Sequence, residues 1–283
     1  MNSSCGTQAE SSSGSATAEL RETRDAFDSV AADYDGPRGN NALIEDMRRE
    51  MWRWLDATFA PGSRLIDIGC GTGLDAIRMA QLGHHVTATD WSPEMARRTR
   101  DRAAHERLSD RVQVAQVGAH ELHRLESQDS YEGAYSNLGP LNCVPALAEV
   151  SRECARLLKP GGALVFTVIG RICPWEIAHY LRRRQWARVA VRFARGLVPV
   201  GLNQHTVWTR YYAPREFYRA FAGQFTLEHY RGLCMFVPPP YLTTLRSRHF
   251  DLYQRLWRLD RRTSGWPLLR GMGDHFLIVM KKR

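Results

Sequence analysis

The stretch LIDIGCGTGLDA, residues 65–76, constrains the fold of this 283-residue chain more than any other segment. Apolar residues run into a loop with glycine at alternate positions (Gly69, Gly71 and Gly73), and a helix-like pattern follows. A strand that turns through glycines into a helix gathers backbone N–H groups at the positive end of that helix. The pattern therefore predicts an α/β unit that holds a ligand against bare backbone.

Strand and helix patterns alternate through most of the remaining chain. The later strand patterns are HVTATD, VQVAQVG, YEGAYSN, ALVFTVIG, FTLEHYRGLCMF and DHFLIVMKK. Helical spacing separates most of them, and two more helical segments precede the first strand, from about Leu20 to Phe59. This alternation predicts βαβ units and a mostly parallel sheet with helices on both faces.

Two segments do not follow this alternation of strands and helices. Residues 1–19 are rich in Ser, Gly, Ala and Thr, and we expect a disordered tail ahead of one domain over residues 20–283. Residues 171–212 are expected to form a helical cap over the strand ends. The cap contains an amphipathic helix with six arginines between Arg182 and Arg195, and its inward face is expected to carry Ile177, Leu181, Val189 and Phe193. The arginines suit either a solvent-exposed face or contact with a membrane surface or an anionic substrate.

Composition narrows the class of protein only partly. The net charge of +9 is compatible with nucleic acid, an anionic membrane surface or an acidic substrate. The six cysteines include no CxxC pair, so free thiols, no metal site and a cytoplasmic location are predicted. No apolar run approaches the ~20 residues that span a bilayer.

The glycine loop discriminates between nucleotide ligands. Its G-x-G-x-G spacing places Leu74 where a dinucleotide-binding loop has its third glycine, and no Walker lysine follows. A ligand with a ribose, an anionic end and an ammonium group fits better. S-adenosylmethionine (SAM) has all three.

Each part of SAM has a candidate partner in the sequence. Its carboxylate would meet the N–H groups near Gly71 and the positive end of the helix. Asp67 would attract the amino group, and Asp90, which closes the next strand, would accept both ribose hydroxyls. Trp91 offers an apolar face to adenine.

Five segments occur in the order and spacing of one known family. They are AFDSVAADYD, LIDIGCGTG, VTATDWSPEM, YEGAYSNLGPLNCV and LLKPGGALVF, and together they cover about residues 20–170. On these the chain resembles the class I SAM-dependent methyltransferases, which include quinone-biosynthesis and other small-molecule methyltransferases. The resemblance implies a Rossmann-like, seven-stranded sheet, an insertion after the fifth strand, and S-adenosylhomocysteine (SAH) as product.

The resemblance also suggests site residues. Tyr34, in a Tyr-Asp pair with Asp35, would close over the cofactor. Gly118 and Ala119 stand where many relatives have an acidic residue near adenine, and backbone contacts, His120 or Glu121 would serve there instead. The predicted cofactor-binding residues are Tyr34, Asp67, Gly69, Cys70, Gly71, Gly73, Asp90, Trp91, Gly118, Ala119 and Asn137. The predicted substrate-binding residues are Asn142, Trp175, Tyr180, Tyr211 and Tyr212. By residue type alone, His205, Glu176 and His275 are candidates for a general base.

The sequence thus predicts a SAM-dependent methyltransferase that acts on a small, aromatic or apolar acceptor by in-line displacement. Two alternatives stay open: an RNA or protein methyltransferase, and a SAM-binding protein of the same fold that transfers no methyl group. The scattered arginines and the lack of a recognisable RNA-binding module favour the small molecule over nucleic acid.

Overall fold

The computed structural model describes residues 6–37, 39–126, 128–242 and 244–283. Its strands are β1 (Arg64–Ile68), β2 (His85–Asp90), β3 (Val112–Gln116), β4 (Tyr131–Ser136), β5 (Leu158–Ile169), β6 (Val198–Leu202), β7 (His205–Thr209), β8 (Phe225–Leu233) and β9 (His275–Lys282). Seven form one sheet in the order β3-β2-β1-β4-β5-β9-β8. Six of these strands run in the same direction, and β9 runs antiparallel to them. The predicted fold class is confirmed.

Helices pack around this sheet. They are α1 (Gly6–Val30), α2 (Ala42–Thr58), α3 (Leu74–Gln81), α4 (Pro93–His105), α5 (Leu147–Leu157), α6 (Pro174–Arg182), α7 (Trp186–Val191), α8 (Pro214–Arg219), α9 (Thr244–Arg248) and α10 (Phe250–Thr263). None of the helices in the described residues is long and apolar enough to cross a membrane.

The order of the strands determines where a ligand can bind. The chain leaves β1 toward β2 and β3 on one side, and it later returns to β4 on the other side of β1. The loops after β1 and β4 therefore diverge and leave a crevice at the carboxyl ends of the strands. Beneath the crevice the central strands are buried, with Ile66, Ala134 and Leu164 at 0% exposure.

The predicted N-terminal disorder needs correction. Residues 1–5 lie outside the described residues, but the chain is helical from Gly6 onward. The later part of α1 is anchored to the hairpin of β6 and β7, because the Trp208 N–H donates to Thr23 Oγ1 (3.0 Å) and the Trp208 indole donates to Glu22 (2.7 Å). An anchored segment supplies the costly helix nucleus, and elongation from it is easy even through poor helix formers.

The cap is only partly helical. The single long helix predicted over its first half is divided into α6 and α7 at Arg184, whose φ of +57° no helix accommodates. Its second half is the antiparallel hairpin, in which Val200 pairs with Val207. Strand-like alternation of Val198, Val200 and Leu202 was the signal for this hairpin.

One of the six cap arginines is internal. Arg192 is 5% exposed, and its guanidinium donates to Glu176 (2.7 and 2.9 Å), to Asp274 Oδ1 (2.6 Å) and to the Gly170 carbonyl (2.8 Å). Cys173, Glu176 and Asp274 hold potential metal ligands within 4.8 Å of one another, but Arg192 already supplies positive charge to both carboxylates.

The apolar face predicted for the cap helix is not buried as a whole. Leu181 (39% exposed) and Phe193 (48%) face solvent, whereas Ile177 and Val189 are half-buried. The helices are too short to bury a continuous apolar stripe, so Arg192 and its carboxylate partners attach the cap to the sheet instead.

Replacing Arg192 with Met is expected to destabilise the fold by about 3–5 kcal/mol, because two carboxylates remain buried without their cation. Thermal unfolding would show a midpoint lowered by roughly 10 °C. The exposed Arg188→Met on the same helix is the matched control and should change stability by less than about 0.5 kcal/mol. Equal effects of the two variants would contradict the role given to Arg192.

Candidate functional site

A cavity of about 400 Å³ opens at the carboxyl ends of β1, β2 and β4. Its size is ordinary for a small-molecule site. The glycine loop, the end of β2 and the loop after β4 supply one part of the wall, and α1 with the hairpin supplies the other. Of the predicted cofactor-binding residues, those lining it are Tyr34, Gly69, Cys70, Gly71, Asp90, Trp91, Gly118, Ala119 and Asn137.

The glycine loop depends on backbone conformations that only glycine adopts freely. Gly69 and Gly73 have φ of +73° and +84°, and a Cβ on them would lie 2.4 Å from Pro140 and 2.7 Å from Thr99. These two glycines allow close packing of the loop. At Gly71 (φ +56°) the nearest atom to such a Cβ is the Tyr34 ring at 3.7 Å. The cavity therefore borders bare backbone at Gly71, while Gly73 lies outside its wall.

Asp90 joins the loop to the second strand. One carboxylate oxygen accepts from the Gly71 N–H and the other from the Ser92 N–H, both at 2.9 Å. Burial nevertheless raises the pKa of Asp90 to about 6, against the opposing effect of these N–H donors. Each carboxylate oxygen has further lone pairs, so Asp90 can still accept hydrogen bonds from a pair of hydroxyls.

Arg48 is a cavity residue that the sequence analysis missed. It lies on α2, is 8% exposed, and donates to Asp75 Oδ2 at 2.5 Å. The Trp52 indole donates to the other oxygen of Asp75 at 2.6 Å. The Arg48 Nε–H is buried and has no hydrogen-bond partner in the part of the chain that the structure describes. A buried guanidinium with a spare donor can bind a carboxylate. The only sequence signal for burial of Arg48 was its position on the apolar face of α2, and arginine is rarely buried in proteins.

Asp67 is a second buried group with unused capacity. It is 1% exposed, and its Oδ2 has no hydrogen-bond partner among the described residues. Burial and the nearby Asp75 raise the pKa of Asp67 well above the usual range. Asp67 lies behind the cavity wall, so it could act on a ligand only through a neighbour or a water molecule.

An aromatic corner lies beyond Asp90. The Trp91 ring meets the His120 ring edge-on, with 4.6 Å between centroids, and both line the cavity with Gly118 and Ala119. A Cβ on Gly118 would lie 2.5 Å from the His120 ring. Glu121 accepts from the Gly118 N–H at 3.1 Å, so its carboxylate supports the turn. Burial lowers the pKa of His120, which favours the neutral ring.

The Tyr34–Asp35 pair fastens the N-terminal segment across the glycine loop. Asp35 accepts from the Thr72 hydroxyl at 2.6 Å and forms an ion pair with Arg102, which also donates to the Thr72 carbonyl at 2.9 Å. Tyr34 is thereby held beside Gly71. Burial raises its pKa, so the phenol stays neutral.

The remaining wall is mainly apolar. Residues of α1, the loop after β4, the end of β5 and the hairpin contribute to it, and none of them was predicted. The apolar ones include Leu20, Phe27, Leu138, Val144, Ile169, Val200, Leu202 and Val207. The arrangement therefore combines a polar, backbone-rich end with an apolar end in one cavity.

The candidate bases do not meet at this cavity. His205 begins β7 on the exposed surface. Glu176 is bound to Arg192 and to the Tyr241 hydroxyl, and His275 Nδ1 contacts Asp274 at 2.8 Å in the same buried cluster. Glu176 and His275 thus belong to a cluster that attaches the cap, and none of the three candidate bases is among the residues that line the cavity.

The five predicted substrate residues also lie outside the cavity wall. Asn142 is fully buried, and its amide bonds to the backbone of Ile169 (2.9 and 3.1 Å) and Arg210 (2.6 Å), which joins β5 to the chain returning from the cap. Tyr212 packs edge-on against Phe217 in the main core. The others border the Arg-rich helices: Trp175, Tyr180 and Tyr211.

Comparison with known proteins agrees with this architecture. Residues 65–162 match the family described as "Methyltransferase domain". The chain is 36% identical over 141 residues to the ubiquinone biosynthesis O-methyltransferase of Xanthomonas campestris, which covers 49% of this chain and 56% of that protein. The corresponding Shewanella pealeana protein is 26% identical over 187 residues, 65% and 74% of the two chains. The chain thus spans about half the length of the Xanthomonas relatives.

Solved structures share the fold at lower identity. The SAM-dependent methyltransferase of Mesorhizobium loti superposes with a TM-score of 0.53 at 21% identity, over 82% of this chain and 97% of that one. The geranyl diphosphate C-methyltransferase of Streptomyces coelicolor gives 0.55 at 17% identity, over 83% and 77%. These structures show that the chain shares their fold, in agreement with the domain match over residues 65–162. Over residues 65–162 the chain is therefore similar to the class I SAM-dependent methyltransferases.

The raised pKa of Asp90 predicts a pH-dependent stability difference for Asp90→Asn. The folded protein binds an extra proton between the ordinary value of 3.8 and about 6, so the contribution of Asp90 to stability falls as pH rises through that window. The amide can accept only one of the two N–H bonds, and we expect a lower melting temperature for the variant at both ends of the window. The deficit should shrink between about pH 4.5 and pH 7.5. A deficit that is constant or grows would contradict the assigned protonation.

Proposed function

We propose that this protein transfers a methyl group from SAM to a small, apolar acceptor and releases SAH. The observation that carries the proposal is the continuity of the cavity, in which Gly71 and Asp90 share one space with the apolar wall of α1 and the hairpin. A sulfonium methyl donor and an apolar acceptor need such adjoining environments. The family match over residues 65–162 supports the same reaction class.

The residues present fit SAM in charge and in hydrogen-bonding capacity. Asp90 would accept the ribose hydroxyls, and the aromatic corner of Trp91 and His120 would hold adenine. The spare Nε–H of Arg48 would meet the methionine carboxylate, and Asp67, which lies behind the cavity wall, would act on the ammonium group through a neighbour or a water molecule. When bound, SAM supplies an electrophilic methyl group.

The protein's own part in such a transfer is positioning. The acceptor atom must lie about 3 Å from the methyl carbon and in line with the leaving sulfur. Leu138, Val144, Ile169 and the hairpin would orient the acceptor, and α1 with Tyr34 would exclude water from the polar end. A dry cavity strengthens the electrostatic interactions inside it.

An apolar wall also argues for a small molecule over the larger acceptors. RNA or protein methylation would call for an open, phosphate- or peptide-binding groove, whereas α1 and the hairpin cover this cavity. A SAM-binding protein without transfer would have little use for the apolar end. The relatives named for ubiquinone biosynthesis act, by that name, in a small-molecule pathway.

We also propose that α6 and α7 contact an anionic membrane surface from the cytoplasmic side. Trp186 is 66% and Phe193 48% exposed. The exposed arginines around them are Arg182, Arg183, Arg184, Arg188 and Arg195. Exposed aromatic side chains among arginines suit the interface of an anionic bilayer. The cysteines described as free (Cys70, Cys143, Cys154, Cys173 and Cys234) suit a reducing compartment.

Titration calorimetry with SAM and SAH tests the cofactor assignment. We expect binding by the wild type and a loss of about 100-fold in affinity for Asp90→Ala, because two charge-assisted hydrogen bonds of roughly 1.5 kcal/mol each disappear. Asp101→Ala, which removes an exposed carboxylate of α4, should bind normally. Screening apolar phenols and catechols for SAH release then tests transfer. No SAM binding by the folded wild type would refute the proposal.

Vesicle co-sedimentation tests the membrane contact. The wild type should sediment with vesicles that contain phosphatidylglycerol and not with pure phosphatidylcholine. A double variant, Trp186→Ser with Phe193→Ser, should lose most of that binding. Trp266→Ser is the control, since Trp266 is similarly exposed (58%) but outside the cap. Equal losses in the control and the double variant would count against a surface on α6 and α7.

A further inference from the structure

Leu138 has a backbone conformation that leucine rarely adopts. Its φ is +63°, and it lines the cavity directly after Asn137. The left-handed region brings a side chain too close to its own backbone, so a non-glycine residue stays there only when its surroundings impose it. Gly139 follows with φ +87°, and a Cβ on it would lie 2.8 Å from Ile169. The loop after β4 is therefore tightly fitted at this point.

The Thr167 hydroxyl fixes the backbone of Leu138, whose side chain also packs against a hydrophobic cluster that includes Leu43 and Met47. The Leu138 N–H donates to Thr167 Oγ1 at 2.6 Å, and the same hydroxyl donates to Asn137 Oδ1 at 2.9 Å. Thr167 lies on β5 and is 1% exposed. A buried hydroxyl that accepts and donates in this way fixes both the backbone of Leu138 and the side-chain amide of Asn137.

The Nδ2 group of the Asn137 amide is fixed by a residue on the other side of the loop. Asn137 Nδ2 donates to Asp75 Oδ2 at 3.1 Å, and Asp75 is held by Arg48 and Trp52. A buried chain of hydrogen bonds thus runs from α2 through α3 and the loop to β5. Since both ends of the Asn137 amide are engaged within the protein, this side chain is an internal brace.

The brace acts on the apolar wall. Leu138 shares that wall with Val144 and Ile169, next to the polar end where Arg48 and Asp75 also border the cavity. A rotation of Leu138 out of the left-handed region would move its side chain and shift the peptide that follows. The wall would then lose its fit to an acceptor while the glycine loop and Asp90 stayed in place.

We propose that Thr167 is a positioning residue for the acceptor, and that it acts by holding Leu138 in the left-handed conformation. This inference rests on the proposed methyl transfer, because it assigns the wall around Leu138 to the acceptor. Thr167 itself does not line the cavity, so it acts through Leu138 and Asn137. Small displacements of a bound acceptor cost large factors in rate, since transfer needs collinear geometry.

The test compares Thr167→Val with Thr167→Ser. Valine keeps the shape and removes the hydroxyl, whereas serine keeps the hydroxyl. With 4-hexylcatechol as acceptor probe and SAH release as the readout, we expect Val to lower kcat/KM for the acceptor by roughly 10- to 100-fold. Ser should restore it to within about 3-fold. The SAM dissociation constant from calorimetry should differ by less than about 3-fold among all three proteins.

Hydrogen exchange gives a readout that is independent of catalysis. The Leu138 amide should be protected in the wild type and in Thr167→Ser and should exchange faster in Thr167→Val. Thr263→Val is the matched control, because Thr263 is also buried and its hydroxyl donates to the Leu259 carbonyl of α10 at 2.9 Å. That variant should alter neither Leu138 exchange nor acceptor kinetics.

A second pair of variants tests the conformation of Leu138. At a residue with positive φ, Leu138→Gly should melt at a higher temperature than Leu138→Ala, the reverse of the usual order. Unchanged acceptor kinetics and exchange in Thr167→Val would overturn the positioning role. A wild type that binds SAM but yields no SAH from any phenol or catechol would instead overturn the proposed transfer, and the acceptor role of Thr167 with it.

Discussion

The hydrogen bond from the Gly71 N–H to the Asp90 carboxylate is the contact around which the polar end of the cavity is organised. It requires the left-handed backbone at Gly71, and it joins the loop after β1 to the end of β2. A Cβ on Gly71 would lie 3.7 Å from the Tyr34 ring, so the backbone conformation and not a lack of space favours glycine there. The aromatic corner and the Tyr34–Asp35 fastening are both arranged beside this contact.

Two buried arginines serve the structure in different ways. Arg192 gives all its nitrogen atoms to carboxylates and carbonyls of the chain, and so it fixes the cap to the sheet. Arg48 is paired with Asp75 but keeps a free Nε–H beside the cavity. A buried N–H donor without an acceptor is costly, so the unpaired Nε–H of Arg48 is suited to accept the approach of an anion. The same criterion separates Arg192, whose nitrogen atoms bind only the chain itself, from Arg48, which borders the cavity.

Residue type and spacing identified cavity residues within the strand–turn–helix unit. In the cap, residue type did not identify residues that line the cavity. The glycine loop, Asp90 and Trp91 were found because strand–turn–helix spacing fixes their positions relative to one another. Glu176 and His275 attracted interest as candidate bases, yet they belong to the cluster around Arg192. A histidine or carboxylate in a cap can face the cavity, the core or the solvent. Its local sequence is similar in all three cases.

The sequence by itself determined the seven strands of the sheet, their mostly parallel arrangement, and the glycine loop with Asp90 at one side of the cavity. These depend on interactions within a few residues or on a pattern that repeats along the chain. Tertiary structure alone decided that α1 and the hairpin complete the cavity, since their contact joins Thr23 to Trp208, 185 residues apart. It likewise decided which polar side chains are internal. Such contacts depend on how elements that are distant in the sequence pack together, and local periodicity does not predict that packing.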